Sequence, residues 1–209
     1  MDLQTFGVDV LEDAASYFER MPKISVKAQT IAINQIATRG GLKLLRDDVQ
    51  AEVAFPAGYL KSNNRLYVSD KATNSKPEAV ISARQRPTSL ARFAQGAVSA
   101  TGDRKGGVSV MVKPGTSRQM PKAFLMRLRA GASLTADNYN VGLAVRLKPG
   151  DRILNKRKQS PVQLGHNLYL LYGPSVDQVF RSVAVDDSEI IADMTRDEFF
   201  RQFTRLSSE

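Results

Sequence analysis

One histidine, no cysteine and scattered carboxylates set narrow limits on the chemistry open to these 209 residues. His166 would have to act as a lone general base, because no nucleophile and orienting carboxylate stand at a spacing that supports it. A strand-edge or packing role is the expectation for it. Two pairs of adjacent acids occur, Asp47-Asp48 and Asp186-Asp187. Neighbours on a helix point to different faces, so neither pair reads as a carboxylate dyad. Asp186-Asp187-Ser188-Glu189 reads instead as negative charge at a helix N-terminus, where the macrodipole favours it. Gly40-Gly41 lacks the frame of a phosphate-binding loop, and Gly102 to Gly107 (GDRKGG) reads as a basic turn entering a strand. Without cysteine there is no disulfide, no thiol nucleophile and no zinc–thiolate site. The inventory points away from an enzyme and implies no cofactor and no metal.

The stronger signal is charge. The chain carries 30 Lys and Arg against 21 Asp and Glu, a net +9. Residues 101–160 hold 13 basic and three acidic side chains, net +10, whereas residues 161–209 hold four basic and eight acidic, net −4. This asymmetry suits a polyanionic partner or charge-matched contacts between copies of the chain. Arg104, Lys105, Arg152, Lys156, Arg157 and Lys158 are the candidate assembly or DNA contacts. Three readings stand for them: a solvated loop, a contact with an acidic protein surface such as the tail of a neighbouring copy, and non-specific phosphate contact that weakens with salt. No aromatic lies within Lys156-Arg157-Lys158, which argues against a stacking platform for single strands. No helix-turn-helix or zinc-finger pattern is present.

The elements that must position these residues follow from periodicity. Val8, Leu11, Ala15 and Phe18 recur at helical spacing, with Pro22 expected to end that helix. A second helix is expected from about Ser25 to Val53, kinked or broken at Gly40-Gly41. Its small residues Ala28, Ala32, Ala37, Gly40 and Gly41 admit a close neighbour. Pro56 ends it, and a short helical turn follows. Strands are expected at 65–70, 78–85, 106–115, 123–131, 139–148 and 166–173, with a helical turn at 88–95 and an exposed basic loop from Gly150 to Gly165. Beyond Ser175 two helical stretches follow, the first with Val176, Val179, Phe180 and Val183 on one face, the second with Ile190, Ile191, Met194, Phe199, Phe203 and Leu206. Ser175 and Gln178 have capping-box spacing. At the strand-to-helix turn Tyr172-Gly173-Pro174, Gly is expected to supply conformational freedom and Pro to fix the turn. The fold class is therefore α+β: a long N-terminal helix packed on an antiparallel sheet of about five or six strands, with C-terminal helices. The chain reads as a single domain over 1–209, with a helical part (1–55), a sheet part (56–173) and a second helical part (174–209). No membrane span and no secretory signal are read, so the chain is expected to be made and kept in a cytosol.

The order of segments then carries a resemblance. A helix holds Ala32-Ile33-Asn34; a strand holds Ile81-Ser82-Ala83-Arg84, followed by Arg86-Pro87 and the pair Leu90 and Phe93. Next come Gly107-Val108-Ser109-Val110, Pro121-Lys122-Ala123-Phe124, and Leu171-Tyr172-Gly173-Pro174-Ser175-Val176 leading into a helix. This order resembles the minor tail protein Z family of lambda-like tailed bacteriophages, related to tail-completion and neck proteins, over about residues 25–185. The insert from about Gly131 to Gly165 and the acidic C-terminal helices depart from the family pattern. The resemblance implies a virion structural protein, made in the host bacterial cytoplasm. It would sit at the head-proximal end of the tail or the head–tail joint, in a ring of its own copies that is commonly sixfold. Its partners would be other tail or neck proteins, and phage DNA would pass through the lumen; no membrane is involved. The alternative is a nucleic-acid-binding protein without sequence specificity that uses residues 101–160.

Overall fold

The computed structural model describes residues 3–96, 107–129, 140–148, 161–165 and 167–208, with the backbone alone for 3–18. Helix α1 (Leu3–Gln35) runs through Pro22 rather than stopping there. A proline inside a helix removes one backbone hydrogen bond and costs about 3 kcal/mol. Pro22 is exposed, so water can reach the carbonyl left without its donor. Gly40-Gly41 does not break the helix either. Ile36–Gly40 forms a π-helical turn closed by the Gly41 N–H on the Ile36 carbonyl, and α2 (Gly41–Glu52) continues from it.

The strands are β1 (Leu66–Asp70), β2 (Val80–Ala83), β3 (Thr88–Ser89), β4 (Val108–Lys113), β5 (Thr116–Met120), β6 (Ala123–Arg127), β7 (Val141–Arg146), β8 (Val162–Gly165) and β9 (Leu168–Gly173). Helices α3 (Val176–Asp186) and α4 (Ser188–Ser207) close the chain. The architecture is α+β, as the periodicity implies. Five strands make an antiparallel sheet in the order β3–β9–β7–β6, with β8 also on β9. β1 pairs with β2, and β4 with β5. Three strands depart from the expectation. β3 opens the stretch expected to be a helical turn, which is confined to Leu90–Phe93. β5 is polar and exposed along nearly its whole length, so it has no alternation to read; its pairing with β4 makes it a strand. β8 lies inside the stretch expected to be loop, so Val162–Gly165 is a correction to that reading.

Where the sequence reads as three consecutive parts of one domain, the chain divides into two compact units, each discontinuous. A helical unit comprises 1–44, 68–81 and 186–209, and a sheet unit comprises 45–67 and 82–185. In the helical unit α1 packs on α4. Ala28 and Ala32 are fully buried, and a Cβ on Gly40 would lie 2.6 Å from Met194 Cε. The small residues are what let the two helices approach. The buried positions of α4 are Glu198, Gln202 and Leu206, each one helical turn beyond the last and in line with half-buried Met194. Ile190 is on the exposed side, and Phe199 and Phe203 stack on each other, half-buried, at 5.9 Å. Asn34 joins the helix to a loop: its amide donates to the Ala72 carbonyl and its oxygen accepts from the Ala72 N–H, both at 2.9 Å. In the sheet unit Leu45 and Val49 of α2 are buried with Phe55, Phe93, Val110, Leu143 and Leu170. Phe55 stacks flat on Tyr59 at 5.3 Å. No helix among the described residues is long and apolar enough to cross a membrane.

Candidate assembly site

A groove of about 510 Å³ opens in the sheet unit. Val110 and Val112 of β4 both line it, at the irregularity in the β4–β5 pairing between Val110 and Lys113. Pro114-Gly115 turns β4 back into β5. Gly115 has a φ of +73°, and proline followed by a left-handed glycine suits a two-residue turn of this kind. That turn brings Met120 into the lining, and β7 and β9 add Val145 and Leu171. Exposed Arg118 and Lys122 and half-buried Tyr172 supply the polar part of the wall. The site is therefore an apolar surface bordered by cations, suited to an acidic amphipathic partner and carrying no paired acid and base for catalysis.

The six singled-out cations, Arg104, Lys105, Arg152, Lys156, Arg157 and Lys158, lie outside the described residues, as does His166. The described part of the basic segment holds seven others, Lys113, Arg118, Lys122, Arg127, Arg129, Arg146 and Lys148, all exposed. The segment's three acids are not among the described residues. Sorted by compact unit, the charge separates further than it does along the sequence. The sheet unit carries 20 basic and 7 acidic side chains, net +13; the helical unit carries 10 basic and 14 acidic, net −4. Among the described residues no cluster of three or more His, Asp or Glu could hold a metal ion. Asp187 and Glu189 stand at the start of α4 as expected, whereas Asp186 is the last residue of α3, at the helix end the macrodipole does not favour for an acid; Asp47 is exposed on α2.

Tyr172, Gly173 and Pro174 do form the strand-to-helix turn. Tyr172 and Gly173 end β9 opposite Ser89 and Thr88. Gly173 has no left-handed backbone, so conformational freedom is not its role. A Cβ there would sit 3.2 Å from both Leu90 Cδ2 and Phe93 Cε2, so the requirement is space. The capping box is complete: the Ser175 N–H donates to Gln178 Oε1 and the Gln178 N–H donates to Ser175 Oγ, both at 3.1 Å. No family model, no curated protein and no solved structure matches the chain.

Two features escaped sequence reasoning. The groove is one, because its walls come from β4, β5, β6, β7 and β9; only the Val alternation of β4 and the Pro-Gly turn after it were visible signals. Arg65 is the other. It is 2% exposed, donates to the Tyr59 carbonyl at 3.0 Å and to Ser62 Oγ, and lies 3.9 Å from the centre of the Tyr59 ring. Burial of a cation at this level is rare, and nothing in local sequence distinguishes Arg65 from a surface arginine.

Proposed function

We propose that this chain is a structural component of a tailed-bacteriophage virion. In this reading it is a non-enzymatic minor tail or tail-completion protein that forms a ring, a hexamer by family habit, at the head-proximal end of the tail or the head–tail joint. DNA passes through the ring, other tail or neck proteins lie above and below it, and no cofactor or membrane takes part. The order of the helix, strand and turn motifs supports the family. The observation that carries assembly is the separation of net −4 and net +13 between two compact units. A head-to-tail ring needs two different surfaces that match, and opposite charge is one way to provide them. Light scattering at low and high salt, with and without double-stranded DNA, tests this together with immunogold electron microscopy of phage particles. A discrete ring and label at the head-proximal tail end support it. Particles without the protein overturn it.

The second reading is a nucleic-acid-binding protein without sequence specificity that uses residues 101–160, favoured by the seven exposed cations described in that segment. It predicts a monomer or dimer whose affinity for DNA falls steeply with salt. Release of all bound DNA between 50 and 200 mM salt, on the order of a thousandfold loss for six or more phosphate contacts, would favour it.

A further inference from the structure

We infer that the N-terminal stretch of α1 is a docking helix whose receptor is the sheet-unit groove of a second copy of this chain. The inference rests on the ring reading and names its contact. The helix outruns its own partner. Gly40 meets Met194 and Gly41 meets Ile191, so α1–α2 and α4 run antiparallel. At a rise of about 1.5 Å per residue in both, Ser207 draws level with about Lys27. The part of α1 that starts at Leu3 therefore extends some 36 Å past the end of α4. Its apolar spacing does not stop there. The buried line Ala28, Ala32 and Ile36 leads back at helical intervals to half-buried Ile24 and Met21. In the sequence it continues through Phe18, Ala15, Leu11 and Val8.

Charge identifies the receptor. Residues 1–19 contain Asp2, Asp9, Glu12, Asp13 and Glu19 and no basic residue. The groove presents the opposite: an apolar lining with Arg118 and Lys122 at its border, in a unit of net +13. Its 510 Å³ is the size of a small-ligand pocket, enough for the apolar side chains of about two helical turns. An acidic amphipathic helix laid in an apolar groove with cationic borders is an established recognition mode. A second copy brings one helix and one groove, so each copy uses both surfaces and the contact is heterologous. Such a contact propagates and closes into a ring when the rotation permits.

The test uses a fluorescent peptide of residues 2–23 and the full chain carrying Leu11→Asp and Phe18→Asp, which disables its own helix. Saturable binding of the peptide, weakened tenfold or more by adding Arg118→Glu and Lys122→Glu, is expected. Circular dichroism confirms that each variant is folded. In light scattering the helix variant and the groove variant should each be monomeric, and their mixture should stop at dimers, since each pair has one working interface. No peptide binding, or binding indifferent to the groove substitutions, overturns the inference. Binding with a wild-type mass that stays monomeric overturns the second copy as occupant, because the helix then seats in its own chain. A ring that persists in the helix variant overturns the docking helix and leaves the ring reading standing. A docking helix that works in a protein missing from phage particles does the reverse.

Discussion

Among the described residues the helical unit buries two acids, Asp187 and Glu198, and the sheet unit one cation, Arg65, each of the sign its unit carries in excess, and Glu198 and Arg65 are held by different means. In the helical unit, net −4, Glu198 is 9% exposed and is held mainly by charge. Arg201 donates to both its oxygens, at 2.8 and 2.7 Å, and Gln202 adds a third bond at 2.6 Å. In the sheet unit, net +13, Arg65 is 2% exposed. Its bonds to the Tyr59 carbonyl and Ser62 hydroxyl, and its stack on the Tyr59 ring, are all to neutral groups. Dipoles and a ring face neither titrate nor attract counterions, whereas a carboxylate–guanidinium pair does both. The bonds of Arg65 to Tyr59 and Ser62 should therefore be indifferent to acid and little affected by salt, and the Glu198–Arg201 pair sensitive to both.

The largest effect tests the first half of that contrast. Arg65→Ala should destabilise the chain by about 3 kcal/mol, from the cavity and from loss of the shorter of two bonds to the Tyr59 carbonyl, to which Ser62 Oγ still donates at 3.3 Å. Urea unfolding should give the same loss at 0.05 and 1 M salt. Arg65→Lys should recover only part of it, since an ammonium cannot reproduce a planar stack on Tyr59. A loss that halves in high salt would mean that an ion pair, and not neutral dipoles, holds the guanidinium.

Next in size is a neutral contact in the helical unit. Asn34→Ala removes both bonds to Ala72 and should cost about 2 kcal/mol by thermal or urea unfolding. Asn34→Asp keeps the oxygen but loses the donor, and should fall between the two. If Asn34→Ala costs less than Glu198→Ala, the helical unit depends on its charged contact more than the comparison allows. On the sheet side, Ser175→Ala should cost about 1 kcal/mol, and Gln178→Ala should add little on top of it, because one reciprocal cap is lost in both.

These sites also divide by how far they could be read in advance. Ser175 and Gln178 were legible because both partners of the cap lie within four residues of chain. The strands with one buried face were legible for a similar reason: Val108 and Val110 are buried, Ser109 is not, and alternation reports that directly. Pro22 misled because a proline costs a helix only what its surroundings fail to repair, and exposure is not written in the dipeptide. β5 could not be read because its strand character is borrowed from β4 through the Pro114-Gly115 turn. Glu198 and Arg65 were invisible for a different reason. A charged residue reads as surface until its tertiary partners are known. Of the α4 face read as Ile190, Ile191, Met194, Phe199, Phe203 and Leu206, only Leu206 is buried, and Glu198 and Gln202 occupy the other buried positions. The candidate site suffered most: its lining draws on five strands, and the singled-out cations fall outside the described residues.

The smallest effect, and the sharpest for the comparison, is the pH response of Glu198. The Arg201 guanidinium, and then Gln202, hold its carboxyl below the usual carboxylate range, against the opposing pull of burial. A lowered folded-state value means that the ionised form is the one folding favours. Its contribution is complete above the ordinary glutamate value of about 4.3 and fades as pH falls through the lower folded value. The effect should be modest, since the Arg201 side chain is 61% exposed and water screens the pair. Glu198→Gln keeps the shape and removes the titration. The stability gap between the wild type and this variant, from urea midpoints, should be constant from pH 7 to 5, narrow from pH 4.5 to 3, and shrink at any pH in 1 M salt. Loss of the Tyr59 and Ser62 contacts in Arg65→Ala should give a gap that does not move over the same range, because neither a guanidinium nor these two partners titrate there. Parallel pH curves for the two gaps would erase the distinction between the units. A narrowing confined to Glu198 would show that, of these two buried charges, Glu198 alone is carried as an ion pair.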